Sequence, residues 1–135
     1  MTSVSTAQQT FDADFIDLSV IESLSSIMTE SAVQSLLVDM ERDVRERLMR
    51  LSETKVAEGS MGVIAQDSHD LRSMGGNFGL VELAQKAGIV ERAARGQCLD
   101  TVRTSTPTLI STGYQSLKAL NSHPIFRSST ASRAS

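Results

Sequence analysis

Apolar residues recur at a spacing of three and four positions from about residue 18 to residue 121, which is the period of an amphipathic helix. The longest such stripe includes Val33, Leu37, Met40, Val44 and Leu48. The composition agrees with helices, because aromatic residues make up only 4% of the chain and Gly (8) and Pro (2) are sparse. The pattern therefore predicts an all-α fold and disfavours a β-sandwich.

The stripes divide into five predicted helices, which are separated by residues that favour caps and turns. The predicted helices cover 18–28, a segment that starts after Thr29 or Ser31, 61–77, 80–95 and 98–121. At the start of the second helix, Ser31 and Gln34 fit a capping box, in which each side chain satisfies a free backbone N–H of the other residue. Gly79 is expected to end the third helix in a left-handed turn, and Gly96 to end the fourth.

The last predicted helix contains Pro107, which removes a backbone donor and predicts a kink or a break near Thr104.

Four long amphipathic helices joined by short turns favour an antiparallel four-helix bundle. The short additional N-terminal helix is expected to lie as a lid over one end. On its outer face the second helix carries acid–base pairs at i,i+4 spacing, which predict a solvated face, with partner docking as the alternative: Glu41/Arg45, Asp43/Arg47 and Glu46/Arg50.

The chain has 135 residues, which is enough for one domain with a single core and too few for two. Residues 1–14 and 123–135 are rich in small polar residues without apolar periodicity, so they are predicted to be disordered tails around a domain at 15–122.

A net charge of -3 disfavours nucleic acid and anionic membranes as partners. The one cysteine, Cys98, makes no internal disulfide and belongs to no metal-site pattern. No signal peptide or membrane span is evident, so we expect a soluble, cytoplasmic protein.

One face of the predicted third helix carries a histidine among small side chains. Opposite Leu71 lie, in chain order, Gly62, Ala65, Gln66, His69, Arg72, Ser73 and Gly76. Glycine inside a helix costs about 0.5–1 kcal/mol relative to alanine, so Gly75 and Gly76 call for an explanation. They clear space for another protein's surface, permit close helix packing, or fray the helix before Gly79. Spacing alone leaves open whether His69 is functional.

The segment from His69 to Leu80 reads His-Asp-Leu-Arg-Ser-Met-Gly-Gly-Asn-Phe-Gly-Leu and is followed by Leu83 and by Val90-Glu91. It resembles the signature of histidine phosphotransfer (HPt) domains, which is His-x-Leu-Lys-Gly-Ser-small-x-x-Leu-Gly-Ala with a Leu and a Leu-Glu further on. The resemblance implies the HPt fold over about residues 18–121. In that fold a helical bundle carries the histidine midway along one long helix.

The resemblance also implies a role for each matching residue. His69 falls on the histidine that is phosphorylated, and Arg72 falls on a lysine whose cation can neutralise phosphoryl oxygens. Glu91 falls near a polar position that can hold the N–H of the other ring nitrogen, and Gly79 falls on the turn glycine. Docking of the partner is expected at Ile21, Leu24, Gly62, Ala65, Gln66, Ser73 and Gly76.

Three positions depart from the HPt pattern. Ser73 stands where the family prefers Gly, Met74 where it prefers Ser, and Leu80 where Ala is commonest. Ser73 is small enough to leave the imidazole accessible, and Met74 is expected to turn inward as a flexible gap-filler. We expect neither change to remove the chemistry.

By this resemblance the chain is a phosphocarrier, without ATPase or kinase activity of its own. It would accept a phosphoryl group from a phospho-Asp of one receiver domain and pass it to another. The partners implied are receiver domains of response regulators and hybrid histidine kinases. The resemblance implies no cofactor or metal in this chain, Mg²⁺ on the partner receiver, and a monomer.

Two alternatives stay open. One is a non-catalytic HPt-like adaptor that binds a receiver or kinase and sequesters it. The other is a dimeric phosphotransferase related to the dimerisation hairpin of histidine kinases. It is suggested by the segment from Ser68 to Ser73, which is similar to the kinase box Ser-His-Glu/Asp-Leu-Arg-Thr-Pro and would make Asp70 a base. Met74 replaces the proline of that box, and no nucleotide-binding glycine boxes follow.

Overall fold

The structure is a computed structural model that describes residues 15–124 of the 135. Within this range the chain forms helices and no strand, so the predicted all-α fold is confirmed. We number the helices α1 (Leu18–Ile27), α2 (Glu30–Glu53), α3 (Met61–Phe78), α4 (Val81–Arg95) and α5 (Leu99–Asn121); a 3-10 turn, Glu58–Ser60, precedes α3. Of the predicted tails, residues 1–14 and 125–135 lie outside the described residues. None of the helices in residues 15–124 has both the length and the apolar character that a membrane crossing requires.

The four long helices pack around a common apolar core. Helix α2 packs against α3 and α5, and α4 packs against the same two helices, while α1 contacts α2 and α3. The side chains at the centre are those of the predicted apolar stripes. Those no more than 1% exposed include Leu37, Leu48, Ile64, Leu71, Leu83, Leu109 and Leu117.

The N-cap of α2 is Thr29, whereas the predicted capping box requires Ser31 at that position. The side chain of Thr29 accepts a hydrogen bond from the backbone N–H of Ala32 at 3.1 Å, and Glu30 is the first helical residue. Ser31 therefore lies inside the first turn, and the predicted box with Gln34 does not form. Thr29 caps the helix instead because its hydroxyl already meets one of the free N–H groups at this end.

At Gly79, a backbone hydrogen bond connects the end of α3 to the residue before α1. It has a φ of 75°, in the left-handed region, and its carbonyl accepts a hydrogen bond from the N–H of Asp17 at 2.7 Å. A Cβ at this position would lie 2.6 Å from the backbone oxygen of Asp17 and 3.1 Å from Cβ of Val20. Both the backbone angle and the close approach require glycine here.

Helix α5 runs without a break through Pro107. Of the kink or break predicted near Thr104, the break is therefore wrong. Val102 and Leu109, on either side of the proline, are both fully buried in the core. Their burial offsets the one backbone hydrogen bond that proline cannot make.

Ion pairs connect α2 to α3. Nη2 and Nε of Arg50 donate to the two carboxylate oxygens of Asp67 at 2.6 and 3.1 Å, and Asp67 is only 3% exposed. Nε of Arg47 donates to Asp70 at 3.2 Å. The sequence predicted that both arginines pair within α2, but in the structure their side chains reach acids on the neighbouring helix. These bonds fix α3 against α2 on either side of His69 in the sequence.

Candidate functional site

His69 lies near the middle of α3 and points away from the core. Its side chain is 40% exposed, whereas Leu71, two residues later, is fully buried. A helix places such residues on opposite faces, so the burial of Leu71 determines that the imidazole faces outward. The ring lies beside α4, which supplies the second half of the site.

Glu91 of α4 fixes the orientation of the His69 ring. Oε2 of Glu91 lies 3.0 Å from Nδ1 of His69, and the Glu91 side chain is only 9% exposed. An ionised carboxylate can only accept a hydrogen bond, so we assign the ring proton to Nδ1. In the neutral ring Nε2 then carries the lone pair, and no residue of 15–124 hydrogen-bonds to it. This ring nitrogen therefore keeps a lone pair that no described residue binds, on a side chain that is 40% exposed.

The charge of Glu91 is maintained by its hydrogen bonds. Burial alone would raise the pKa of Glu91, but hydrogen bonds from Arg72, Arg95 and His69 outweigh burial and lower the pKa from 4.5 to about 2. Nε of Arg72 donates to Oε1 at 2.8 Å, and Nε of Arg95 donates to Oε2 at 3.0 Å. Glu91 is therefore an anion at neutral pH, and it holds an imidazole and two guanidinium groups together.

Arg72 flanks the imidazole one turn further along α3. Its Nη2 lies 3.3 Å from Nδ1 of His69. Because Nδ1 already donates to Glu91, this is a close contact between two donor groups, and the bond to Glu91 holds the guanidinium in place. The Arg72 side chain is 47% exposed, so its other N–H groups are accessible to an anion beside His69. His69, Arg72 and Glu91, predicted as site residues on two helices, thus form one cluster.

Sequence reasoning missed two residues of this cluster. Arg95 is one, and its signal is the i,i+4 spacing from Glu91. Gly88 is the other: a Cβ there would lie 3.4 Å from Cδ of Arg72, so the arginine stem crosses α4 at this glycine. A glycine inside the helical pattern of α4 was its signal.

The two neighbouring glycines of α3, Gly75 and Gly76, have different surroundings. A Cβ at Gly75 would lie 3.0 Å from the backbone nitrogen of Ala84 and 3.1 Å from the backbone oxygen of Leu80. Close packing against the start of α4 therefore accounts for Gly75. A Cβ at Gly76, like one at Gly62, would meet nothing within 4 Å. Packing within the described chain does not account for Gly62 and Gly76.

The face around His69 is open and lined by small residues. Gly62, Gln66, Ser73 and Gly76 are exposed, and Ala65 is buried at 5% exposure below them. An open cavity of about 300 Å³ extends from this face toward the end of α4. Its lining consists of Met61, Gly62, Ala65, Gln66, Ala94, Arg95 and Gln97.

Helix α1 turns one of its two predicted docking residues into the core. Ile21 is 1% exposed and belongs to the core, so its side chain is not part of the surface of the described chain. Leu24 is half-buried and packs against the same core. The apolar stripe of α1 turns inward onto α2 and α3, and it is Leu18 and Ile27 that remain exposed, at 40% and 78%.

In this cluster, the His69 ring can act as a nucleophile with a fixed tautomer and an adjacent cation.

Within residues 15–124, no group of three or more His, Cys, Asp or Glu side chains is arranged to hold a metal ion. Cys98 is exposed and occupies the N-cap position of α5, where its side chain makes no capping hydrogen bond. No protein-family model, curated protein or solved structure matches this chain.

Proposed function

We propose that this protein is a histidine phosphotransfer protein, in which His69 carries a phosphoryl group between the aspartates of two receiver domains. The observation that carries the proposal is the bond between Nδ1 of His69 and the ionised Glu91. It leaves Nε2 with the lone pair, on a ring that is 40% exposed and whose Nδ1 lies 3.3 Å from the guanidinium of Arg72. The motif around His69 resembles that of HPt domains, and the proposal extends this resemblance to the chemistry.

In the proposed reaction, the lone pair of Nε2 attacks the phosphorus of a phospho-Asp. The N–P bond forms as the P–O bond to the aspartate breaks, and the carboxylate leaves with the electron pair. The ring becomes positively charged while Nδ1 keeps its proton, and the Glu91 carboxylate stabilises that charge through its hydrogen bond. In the second step a carboxylate of another receiver attacks phosphorus, and Nε2 leaves as a neutral imidazole nitrogen.

Arg72 is proposed to bind the phosphoryl oxygens in both steps. Its free N–H groups can neutralise the charge that spreads over these oxygens as the phosphoryl group moves. Mg²⁺ on the partner receiver supplies the other cation. This chain therefore contributes the nucleophile, its orientation and one positive charge.

The surface around His69 supports the docking of another protein. Open space at Gly62 and Gly76 and the small side chain of Ser73 let a partner approach Nε2 closely. Transfer in both directions needs an interface that forms and separates readily, which is typical of small interfaces. We also propose that α2 to α5 form an antiparallel four-helix bundle, which the packing of each against two of the others supports.

The experiment is phosphoryl transfer from receiver domains of the same organism charged with labelled phosphate. We expect wild-type protein to acquire label that is lost in acid and retained in alkali, as an N–P bond requires. His69→Gln should acquire none. His123→Gln is the matched control, because the chain has only two histidines, and it should be labelled as the wild type is.

The same experiment separates the alternatives. Receiver binding by wild-type protein without any label would contradict the carrier and favour the adaptor. Label on His69 in a protein that light scattering shows to be a dimer would favour the relationship to the kinase dimerisation hairpin. Label that persists in His69→Gln would contradict the assigned site.

A further inference from the structure

Arg92 is an exposed arginine of α4 beside the His69 site, and it makes no ion pair with any residue of 15–124. Every other arginine in this range bridges an Asp or a Glu. Within α4, no acid lies three or four positions from Arg92. The residues at those positions are Gly88, Ile89, Arg95 and Gly96.

The Arg92 side chain folds back over α4 toward the site. A Cβ placed on Gly88 would lie 3.3 Å from Nη1 of Arg92 and 3.4 Å from Cδ of Arg72. Both arginine side chains therefore lie over the same glycine. Cations in the last turn of a helix usually interact with its terminal carbonyls. The Arg92 guanidinium points away from that end, so the helix dipole does not account for its position.

The surface next to His69 therefore carries uncompensated positive charge. Arg72 and Arg95 share the carboxylate of Glu91, and Arg92 adds a further cation without a further acid. The chain as a whole has a net charge of -3, so this patch is opposite in sign to the protein around it. Such a patch attracts an acidic surface and raises its local concentration at the site.

We propose that Arg92 is a docking cation, which binds a carboxylate on the acidic surface of the receiver that exchanges the phosphoryl group with His69. This inference rests on the proposed function and adds to it a residue that selects the partner. A charge at the rim of an interface changes the association rate and its salt dependence without entering the chemistry. Arg92 thus differs from Arg72, which is proposed to touch the phosphoryl group.

The test uses the receiver that labels wild-type protein fastest. Transfer rates are measured against receiver concentration and salt for the wild type, Arg92→Gln and Arg92→Glu. Arg103→Gln is the matched control, because Arg103 is an exposed arginine on α5 that pairs with Asp100 at 3.3 Å. In parallel, the hydrolysis of isolated phosphorylated protein is followed without any receiver.

We expect Arg92→Gln to lower kcat/KM by up to about fivefold at low salt, with kcat unchanged. Arg92→Glu should lower it further, and salt should abolish both differences by screening. The half-life of the isolated phosphoprotein should not change. Replacement of one receiver acid by Lys should restore transfer to Arg92→Glu and so identify the partner carboxylate.

Two results would overturn the proposal while leaving the proposed function intact. One is an Arg92→Gln protein with wild-type kcat/KM and salt dependence. The other is a shortened phosphoprotein half-life or a lowered kcat, because Arg92 would then act on the phosphoryl group itself. If no receiver labels the wild type, the proposed function fails and this inference fails with it.

Discussion

Nδ1 of His69 and Oε2 of Glu91 lie 3.0 Å apart, although the two residues are 22 positions apart in the chain. The bond joins α3 to α4, so the nucleophile and the group that orients it belong to different helices. The orientation of the ring therefore depends on how these two helices pack. Gly75 is where that packing is tightest among the glycines of α3.

Glu91→Gln is expected to slow transfer while leaving His69 in place. The amide can still accept from Nδ1, but it cannot stabilise the positive ring through charge. A hydrogen bond to a charged group contributes about 1.5–3 kcal/mol, which corresponds to a rate lower by roughly 10–150-fold. Single-turnover transfer from a saturating receiver measures this rate. Glu82→Gln, on the same helix, is the control, and an unchanged rate in a folded Glu91→Gln protein would falsify the orienting role.

The low pKa of Glu91 predicts a stabilisation that depends on pH. Its pKa in the folded protein is about 2, below the ordinary 4.5, so the unfolded chain binds more protons between these values. The stabilisation from ionised Glu91 is complete above pH 4.5, declines below it, and is lost as pH falls through about 2. Urea unfolding at roughly pH 6, 4 and 3 should show the difference between wild type and Glu91→Gln narrowing with acid. A difference that is constant or widens would contradict the assignment of charge to Glu91.

Gly75→Ala and Gly76→Ala are expected to have opposite effects on stability. The Cβ at position 75 would press on the backbone of α4, so we expect a loss of about 1–3 kcal/mol in the free energy of unfolding. The Cβ at position 76 meets open space, and alanine favours the helix by about 0.5–1 kcal/mol. Chemical denaturation of both variants measures the two changes.

Transfer kinetics give the second half of that comparison. Gly76→Ala adds a methyl group to the proposed docking face, so we expect KM for the receiver to rise while the protein becomes more stable. Gly59→Ala is the control, because it adds the same methyl group outside α3. A Cβ at Gly59 also meets nothing within 4 Å, and Gly59 precedes α3. A Gly76→Ala protein with unchanged KM would remove position 76 from the interface.

The helices were predictable because each long stripe of apolar residues has one period and one buried face. The outward position of His69 followed from the same helical spacing, and the left-handed end of α3 at Gly79 followed from the preference for glycine at helix C-termini. Local pattern could not show which surface each element packs on, so Ile21 was expected at the interface although it is 1% exposed. It also could not show that Arg50 bonds an acid 17 positions away, because that pair depends on how α2 and α3 align. Nor could it show that α5 continues unbroken past Thr104, because core packing on both sides of Pro107 outweighs the one lost hydrogen bond.

Arg50→Gln is expected to destabilise the fold without entering the chemistry. It leaves the carboxylate of Asp67, which is 3% exposed, without the two bonds it accepts at 2.6 and 3.1 Å. The Arg50 side chain is itself 53% exposed, so solvent moderates the cost, and we expect a loss of about 1–3 kcal/mol. Arg42→Gln is the control, because its pair with Asp39 is exposed on both sides and should change stability by less than about 0.5 kcal/mol. Urea unfolding at neutral pH measures both, and equal stability of the two variants would show that the bond between Arg50 and Asp67 contributes no more than a surface pair.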